Sequence, residues 1–231
     1  MKITNFNKGI ISSSLGSFWW GFLGTYYFQY ITFVGTIEVV VHRCIWTSLM
    51  LLITTTFFNK WYLLKKIIFD KKKLLILLIT SILIFGNWSI WIYAVATNRI
   101  IDASFGYFIF PIISVFFGFL FFNEKLNKKR VISISLVIIS TIYLFFNLNS
   151  FPWIGFSVAF LWSIYNLLRK KINVDTDIGL FIESLFIFPI AIVIFYFIFQ
   201  NNMNDFSLSN PSLIPLLILA GPMTVIPLFL Y

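Results

Sequence analysis

The chain has few charged residues, one cysteine and one histidine. Charged residues make up 11% of its 231 residues, whereas a soluble domain carries about 25%. A soluble fold of this length would therefore have too few charges to cover its surface. The single cysteine, Cys44, excludes an internal disulfide, and one cysteine with one histidine makes a zinc-type site very unfavourable. We predict no metal and no cofactor.

Hydrophobic residues fill most of the chain, at 60% of the sequence with 30 Phe. The enrichment in Phe, Ile, Lys, Asn and Tyr follows AT-rich codons and indicates an AT-rich genome rather than a function. A helix needs about 20 apolar residues to cross the hydrocarbon core of a bilayer. Eight segments meet this need and are predicted to span the membrane: 10–31, 39–58, 74–96, 103–122, 131–147, 152–168, 178–199 and 212–231.

The basic residues fall between these spans, in short clusters. The net charge of +9 therefore indicates membrane topology rather than nucleic-acid binding. If the chain alternates through every span, all 17 Lys and Arg except Arg43 and Arg99 lie on one side. Cytoplasmic loops carry the excess of Lys and Arg. We predict an all-α, polytopic helix bundle in the bacterial inner membrane, with a cytoplasmic N-terminus and no soluble catalytic domain.

Four ionisable side chains lie within or at the mouth of the spans. Glu38 and His42 are spaced i,i+4 and share a helix face, and Arg43 follows them. Glu183 lies five residues inside the seventh span. Ionisable groups in membrane helices usually line pathways, but Arg43 could instead reach outward to the interface with Glu38 as its partner. Both interpretations stay open.

Other polar residues have local interpretations. Asn87 and Trp88, and a second group with Ser163 and Asn166, indicate either contacts between helices or the walls of a pocket. Asp102 is predicted to be the N-cap of the fourth span, paired with Arg99. Glu124 follows that span among lysines and is predicted to be interfacial, although it also belongs to a motif described below.

A weak internal similarity indicates a duplication. SFWWGFLGTYYF (17–28) and AFLWSIYNLL (159–168) each open a pair of spans, and the next span carries Glu38 in one case and Glu183 in the other. Because a five-helix unit has an odd number of crossings, the second copy must be inverted. We predict residues 1–147 as a first five-helix repeat and 152–231 as three helices of a second.

Four motifs in this chain resemble one family of membrane carriers. They are IEVVVHRCIWTS (37–48), GNWSIWIYAV (86–95), DASFGYFIFPIISVFFGFLFFNEKL (102–126) and LLRKKINVDTDIGLFIES (167–184). Together they resemble the EamA-type branch of the drug/metabolite transporter superfamily, in particular the RarD-type permeases, named for chloramphenicol sensitivity. The resemblance extends over nearly the whole chain.

The resemblance implies ten helices in two inverted repeats and a carrier of small organic solutes. Carried over by motif position, the residues of interest are Glu38, His42, Arg43, Asn87, Trp88, Tyr107, Pro111 and Glu183. The family continues for two helices beyond the eighth span, so the chain is expected to be truncated relative to it. A homo-oligomer or another subunit could complete the missing wall.

The leading functional prediction is a permease that exports or exchanges a small metabolite or drug, with Glu38 or Glu183 binding a proton or the solute. The alternative is a membrane protein that does not transport, either a decayed gene product or one with a structural or binding role. We predict no enzyme activity, because HExxH, GxSxG and paired intramembrane aspartates are absent from the sequence. The expected partners are the lipid bilayer and a small solute, and not nucleic acid.

Overall fold

The computed structural model describes residues 5–148 and 150–229, and every regular element in this part of the chain is helical. The helices are α1 (Asn5–Phe18), α2 (Thr25–Tyr30), α3 (Thr36–Phe57), α4 (Trp61–Ile68), α5 (Lys71–Ala96), α6 (Ile100–Phe122), α7 (Lys128–Phe146), α8 (Trp153–Ile172), α9 (Thr176–Gln200), α10 (Leu213–Ile218) and α11 (Ala220–Val225). A π-helical turn, Trp19–Gly24, joins α1 to α2, and a 3₁₀ turn, Ile226–Phe229, follows α11. The predicted all-α membrane bundle is confirmed. Lys2, which entered the topology argument, and Tyr231 lie outside the described residues.

Each predicted span corresponds to helical structure. Among the described residues, five helices are long and apolar enough to cross a membrane: α3, α5, α6, α7 and α9. The first predicted span is divided by the π-helical turn between α1 and α2. The eighth is broken into α10, α11 and the 3₁₀ turn, which contain Pro215, Pro222 and Pro227. Proline removes a backbone donor and its ring clashes with the preceding turn, so a proline-rich segment forms short helices.

A short amphipathic helix, α4, lies between α3 and α5 and was missed by the sequence analysis. Its Leu64 and Ile67 are buried, whereas Lys65 and Lys66 are exposed. The three-residue spacing of the buried pair is the signal that could have predicted it. Just before α4, the Lys60 ammonium donates to the Asp177 carboxylate, with Nζ and Oδ2 2.5 Å apart.

The described residues form two compact units. The first comprises the described residues within 1–81 and 174–231, and the second comprises those within 82–173. These units group residues by spatial proximity, whereas the predicted domains 1–147 and 152–231 describe a sequence duplication. The duplication therefore stays a prediction.

In the first unit, α3 packs against α9, α10 and α11. The approach of α11 is close, because a Cβ added at Gly221 would lie 2.5 Å from the carbonyl oxygen of Trp46 on α3. Only glycine leaves room for backbone at that distance. The helix that carries Glu38, His42 and Arg43 is therefore at the centre of this unit.

In the second unit, α6 packs against α7 and α8. A Cβ added at Gly106 would lie 2.5 Å from the carbonyl oxygen of Gly155, and one added at Gly155 would lie 2.5 Å from the carbonyl oxygen of Asp102. Small residues let membrane helices approach until their backbones touch. The pair Gly106 and Gly155 therefore sets the contact between α6 and α8.

Five helices end on an asparagine in the left-handed conformation. Asn59, Asn98, Asn123, Asn173 and Asn202 have φ values between 45° and 58° and follow α3, α5, α6, α8 and α9. Among the described residues, every non-glycine residue with a positive φ is one of these five asparagines. Asparagine tolerates this conformation better than other side chains and can end a helix where glycine usually does.

Candidate functional site

The ionisable residues of α3 are buried inside the first unit. Glu38, His42 and Arg43 expose 1%, 2% and 2% of their surface. Glu38 lies in the first turn of the helix, and His42 follows one turn later. If these residues were interfacial, Arg43 would reach outward to the membrane surface. Their burial instead favours the interpretation in which they face the interior of the protein.

Glu38 is held by the backbone of the segment that follows α9. Its Oε2 accepts from the amide of Asp205 at 2.8 Å, and its Oε1 accepts from the amides of Asp205 and Phe206 at 3.0 and 2.9 Å. Hydrogen bonds to an ionised carboxylate are roughly twice as strong as neutral ones. The carboxylate therefore fixes a segment that lies 167 residues away in sequence.

His42 is oriented by Trp46, a residue of the motif IEVVVHRCIWTS (37–48) that was not among the predicted site residues. The indole Nε1 of Trp46 donates to His42 Nδ1 at 3.1 Å. Indole nitrogen can only donate, so Nδ1 carries no proton and the neutral imidazole carries it on Nε2. Nε2 lies 3.6 Å from Glu38 Oε1. The i,i+4 spacing of His42 and Trp46 could have predicted the pair.

Arg43 points away from the Glu38 end toward α11. Its Nε donates to the Thr224 hydroxyl at 3.1 Å. The guanidinium also lies over the rings of Trp20 and Phe28, 5.2 and 5.0 Å from their centroids. Cation–π contacts of this length are strongest when they exclude water. Arg43 therefore anchors α3 to helices at both ends of the sequence.

Glu183 lies fully buried in α9, with 0% of its surface exposed. The Thr80 hydroxyl donates to its Oε1 at 2.6 Å. A carboxylate at this depth needs hydrogen bonds to offset the loss of water. Thr80 was not identified from the sequence, and no local pattern marks a threonine 103 residues away.

The remaining predicted site residues lie in the second unit. Asn87 is buried and its amide donates to the carbonyl of Val158 at 3.2 Å, so it joins two helices. Trp88 is buried, Tyr107 is 49% exposed, and Pro111 is half-buried inside α6. For Asn87, the interpretation as a contact between helices is the one that this geometry favours.

A cavity of about 120 Å³ with a mixed apolar and polar lining lies beside α6 and α8 in the second unit. Its lining includes Ser114, Ser163, Asn166, Glu124 and Lys170. The Ser163 hydroxyl is buried and has no hydrogen-bond partner among the described residues. A cavity of this size with several polar groups can hold water. For Ser163 and Asn166, the pocket-wall interpretation is the favoured one.

An ion pair lies at the start of α6. The Arg99 Nε donates to Asp102 Oδ2 at 2.8 Å, which confirms the predicted pair. The predicted N-cap role of Asp102 is wrong, because Arg99 occupies the N-cap position and Asp102 lies within the first turn. An acidic side chain is still favourable there because it faces the positive end of the helix dipole.

Glu124 lies between α6 and α7, where it pairs with Lys170 at the end of α8. The hydrogen bond from Lys170, reinforced by the ammonium charge, lowers the pKa of the Glu124 carboxyl below its usual value. The side chain is 41% exposed, as the interfacial prediction requires. Because water screens an exposed pair, its contribution to stability is small.

The Glu124 pair gives a pH-dependent prediction. A carboxyl with a lowered pKa stabilises the fold above its unfolded pKa, and this contribution disappears as pH falls through the folded pKa. Glu124→Gln should therefore melt slightly below the parent at about pH 7, and the difference in melting temperature should be smaller at about pH 3. Circular dichroism melting in detergent at both pH values measures this. An equal difference in melting temperature at both pH values would show that the charge of the Glu124 carboxylate does not stabilise the fold.

Comparison with known proteins gives the family. The sequence model of the EamA-like transporter family matches residues 7–146. The chain belongs to the EamA-like transporter family. Its relatives include an uncharacterized transporter of Vibrio cholerae, 32% identical over 224 residues that cover 97% of this chain and 74% of the relative. Protein RarD of Escherichia coli is 30% identical, covering 97% of this chain and 75% of the relative.

A third relative extends the same similarity to a different bacterium. The uncharacterized transporter YojE of Bacillus subtilis is 31% identical over 234 residues, covering 100% of this chain and 78% of the relative. No solved structure matches the chain. This EamA-like chain is therefore a multi-pass membrane transporter of the drug/metabolite type, which works in a lipid bilayer on a small solute.

Proposed function

We propose that the chain moves a small organic metabolite or drug across the bacterial inner membrane, by export or exchange. The observation that carries this proposal is the buried cluster of Glu38, His42 and Arg43 on the central helix α3. Burying three ionisable side chains costs free energy that apolar residues would not. In membrane helices such residues face the interior and mark the routes of solutes and protons.

The proposed orientation places the N-terminus in the cytoplasm and Glu38 at the outer end of the pathway. Contacts within the first unit support the alternation on which this rests. Glu38 binds the segment after α9, and both belong to links proposed to face outward. Lys60 binds Asp177, and both belong to links proposed to be cytoplasmic.

Purified protein in vesicles loaded with a low-molecular-mass bacterial extract tests the proposal. The vesicles are diluted into buffer, and mass spectrometry quantifies each solute that leaves. We expect at least one solute to leave faster than from protein-free vesicles. Equal efflux of every solute would exclude transport of the extract's metabolites and favour the alternative of a non-transporting membrane protein.

Glu38→Gln and Glu183→Gln test the two carboxylates in the same assay. Glutamine keeps the size and one acceptor oxygen of glutamate, but its second oxygen is replaced by an NH2 group that donates, and the side chain cannot hold a negative charge. We expect Glu38→Gln to abolish efflux of the transported solute while the protein inserts normally, as judged by its yield in membranes. Full efflux in both variants would remove the carboxylates from the mechanism.

A further inference from the structure

We propose that Glu38 is a proton-binding site that controls a latch, formed when its carboxylate binds the backbone amides of Asp205 and Phe206. This inference rests on the proposed function, because it assigns the outer end of the pathway a closed and an open state. The latch segment is residues 203–210, which follow α9. In the described structure it is closed.

The latch depends on one side chain. Within the part of the chain that the structure describes, the hydrogen bonds of residues 203–210 either stay inside the segment, connect it to α9 or α10, or end on Glu38. The residues on either side of the two bound amides are exposed, with Met203 at 72% and Leu208 at 90%. Glu38 therefore supplies the hydrogen bonds that hold this segment to α3.

The closed latch places an aromatic ring on the site. Phe206 packs against His42 with ring centroids 4.7 Å apart, and against Phe195 and Trp46 at 6.2 and 6.4 Å. Its amide is one of the two that Glu38 holds. Releasing the amides frees this ring from the imidazole, so the carboxylate controls whether His42 is covered.

A proton is the ligand that this arrangement can sense. A proton from the solution that binds to the carboxylate removes the negative charge, and the amide contacts become ordinary neutral hydrogen bonds. His42 is not the proton-binding group of the closed latch, because Trp46 already donates a hydrogen bond to its Nδ1. Protonating that nitrogen would require the Trp46 contact to break.

The surroundings contain few competing charges. On the latch itself the titratable residue is Asp205, whose amide donates to Glu38. From α9 the neighbouring side chain on His42 is the uncharged ring of Phe195. The other two helices packed on α3, α10 and α11, contain no titratable residue. Arg43 is directed to Thr224. Glu38 and His42 are thus the titratable groups of α3 that face the latch.

The test uses thiol labelling of the purified full chain in detergent, without any solute. Cys44 is the only cysteine and is buried, so Cys44→Ser gives a background without thiols. Ser207→Cys places the reporter on the half-buried part of the latch, and Leu208→Cys places a control on the exposed neighbour. The ratio of their maleimide labelling rates removes the pH dependence of the thiol chemistry itself.

We expect this ratio to rise about tenfold between about pH 7 and about pH 3, because a glutamate carboxyl binds a proton only at acidic pH, near about 4.3 when free. A tenfold rise corresponds to about 1.4 kcal/mol in the opening equilibrium. Glu38→Gln should give the high ratio at both pH values. Asp205→Asn, which keeps the backbone amide, should keep the pH response of the parent. A ratio unchanged by pH in the parent, or a low ratio in Glu38→Gln, would overturn the latch.

The labelling result and the efflux result are independent. A working latch without efflux would leave the proton site standing and remove the proposed function. Efflux that depends on Glu38 without any change in labelling would keep the proposed function and overturn the latch.

Discussion

Replacing Gly106 with alanine should prevent the chain from accumulating as a stable membrane protein. The added Cβ would lie 2.5 Å from the carbonyl oxygen of Gly155. Because that atom belongs to the backbone of α8, no side-chain rotation can relieve the clash and the two helices must separate. We expect a loss of about 3 kcal/mol or more in unfolding free energy.

The sign of this effect is opposite to helix propensity. In an open helical position, alanine is about 1 kcal/mol more favourable than glycine. Gly9 in α1 has no atom within 4 Å of an added Cβ, so Gly9→Ala is the matched control and should be neutral or slightly stabilising. Yield in membranes and helical melting in detergent measure both. Similar yields and melting temperatures for the two variants would show that α6 and α8 do not touch through glycine.

Replacing Arg43 with alanine should destabilise the first unit by about 3 kcal/mol. Arg43 is among the largest fully buried side chains of the described residues. The change removes its hydrogen bond to Thr224 and its contacts with the rings of Trp20 and Phe28, and it leaves a cavity beside α3. Arg43→Lys should lose less, because lysine keeps the charge and the length but not the planar guanidinium.

The buried thiol next to this arginine provides the measurement. Cys44 is 1% exposed and should react with a thiol-specific dye only when α3 unfolds. We expect the temperature of dye labelling to fall in the order parent, Arg43→Lys, Arg43→Ala. Equal temperatures for the parent and Arg43→Ala would mean that the cation contributes nothing to packing. If Arg43→Lys is as unstable as Arg43→Ala, the stabilisation by Arg43 comes from its planar guanidinium group and not from its charge or length.

Hydropathy and basic residues were sufficient to predict the order of the helices. Runs of apolar residues mark the spans, and lysine clusters mark their ends. In the second unit, Lys170 pairs with Glu124, and Arg99 lies over the ring of Trp153. Each of these contacts joins two parts of the chain, in links or at the ends of spans, that alternation puts on the same side. The short helix α4 was missed because the sequence analysis followed only apolar runs long enough to cross a membrane, and α4 has eight residues.

The partners of the site residues could not be predicted from one sequence. Glu38 binds amide groups, and every residue except proline offers one, so nothing in the letters Asp205 and Phe206 marks them as donors. Arg43 and Thr224 lie 181 residues apart. The sequence identified the ionisable residues of α3, but it did not identify the groups that form hydrogen bonds with them. The inverted repeat and the homo-oligomer stay predictions.

The asparagines that end five of the helices have a consequence for how this sequence can drift. Asparagine is encoded by AT-rich codons and glycine by GC-rich ones, and the chain is rich in residues of the first kind. At Asn59, Asn98, Asn123, Asn173 and Asn202 the backbone turns in a conformation that glycine usually supplies. Mutational pressure toward A and T can therefore remove glycine from these turns without changing where the helices end. At Gly106 and Gly155 no such replacement exists, because the constraint there is space rather than backbone angle.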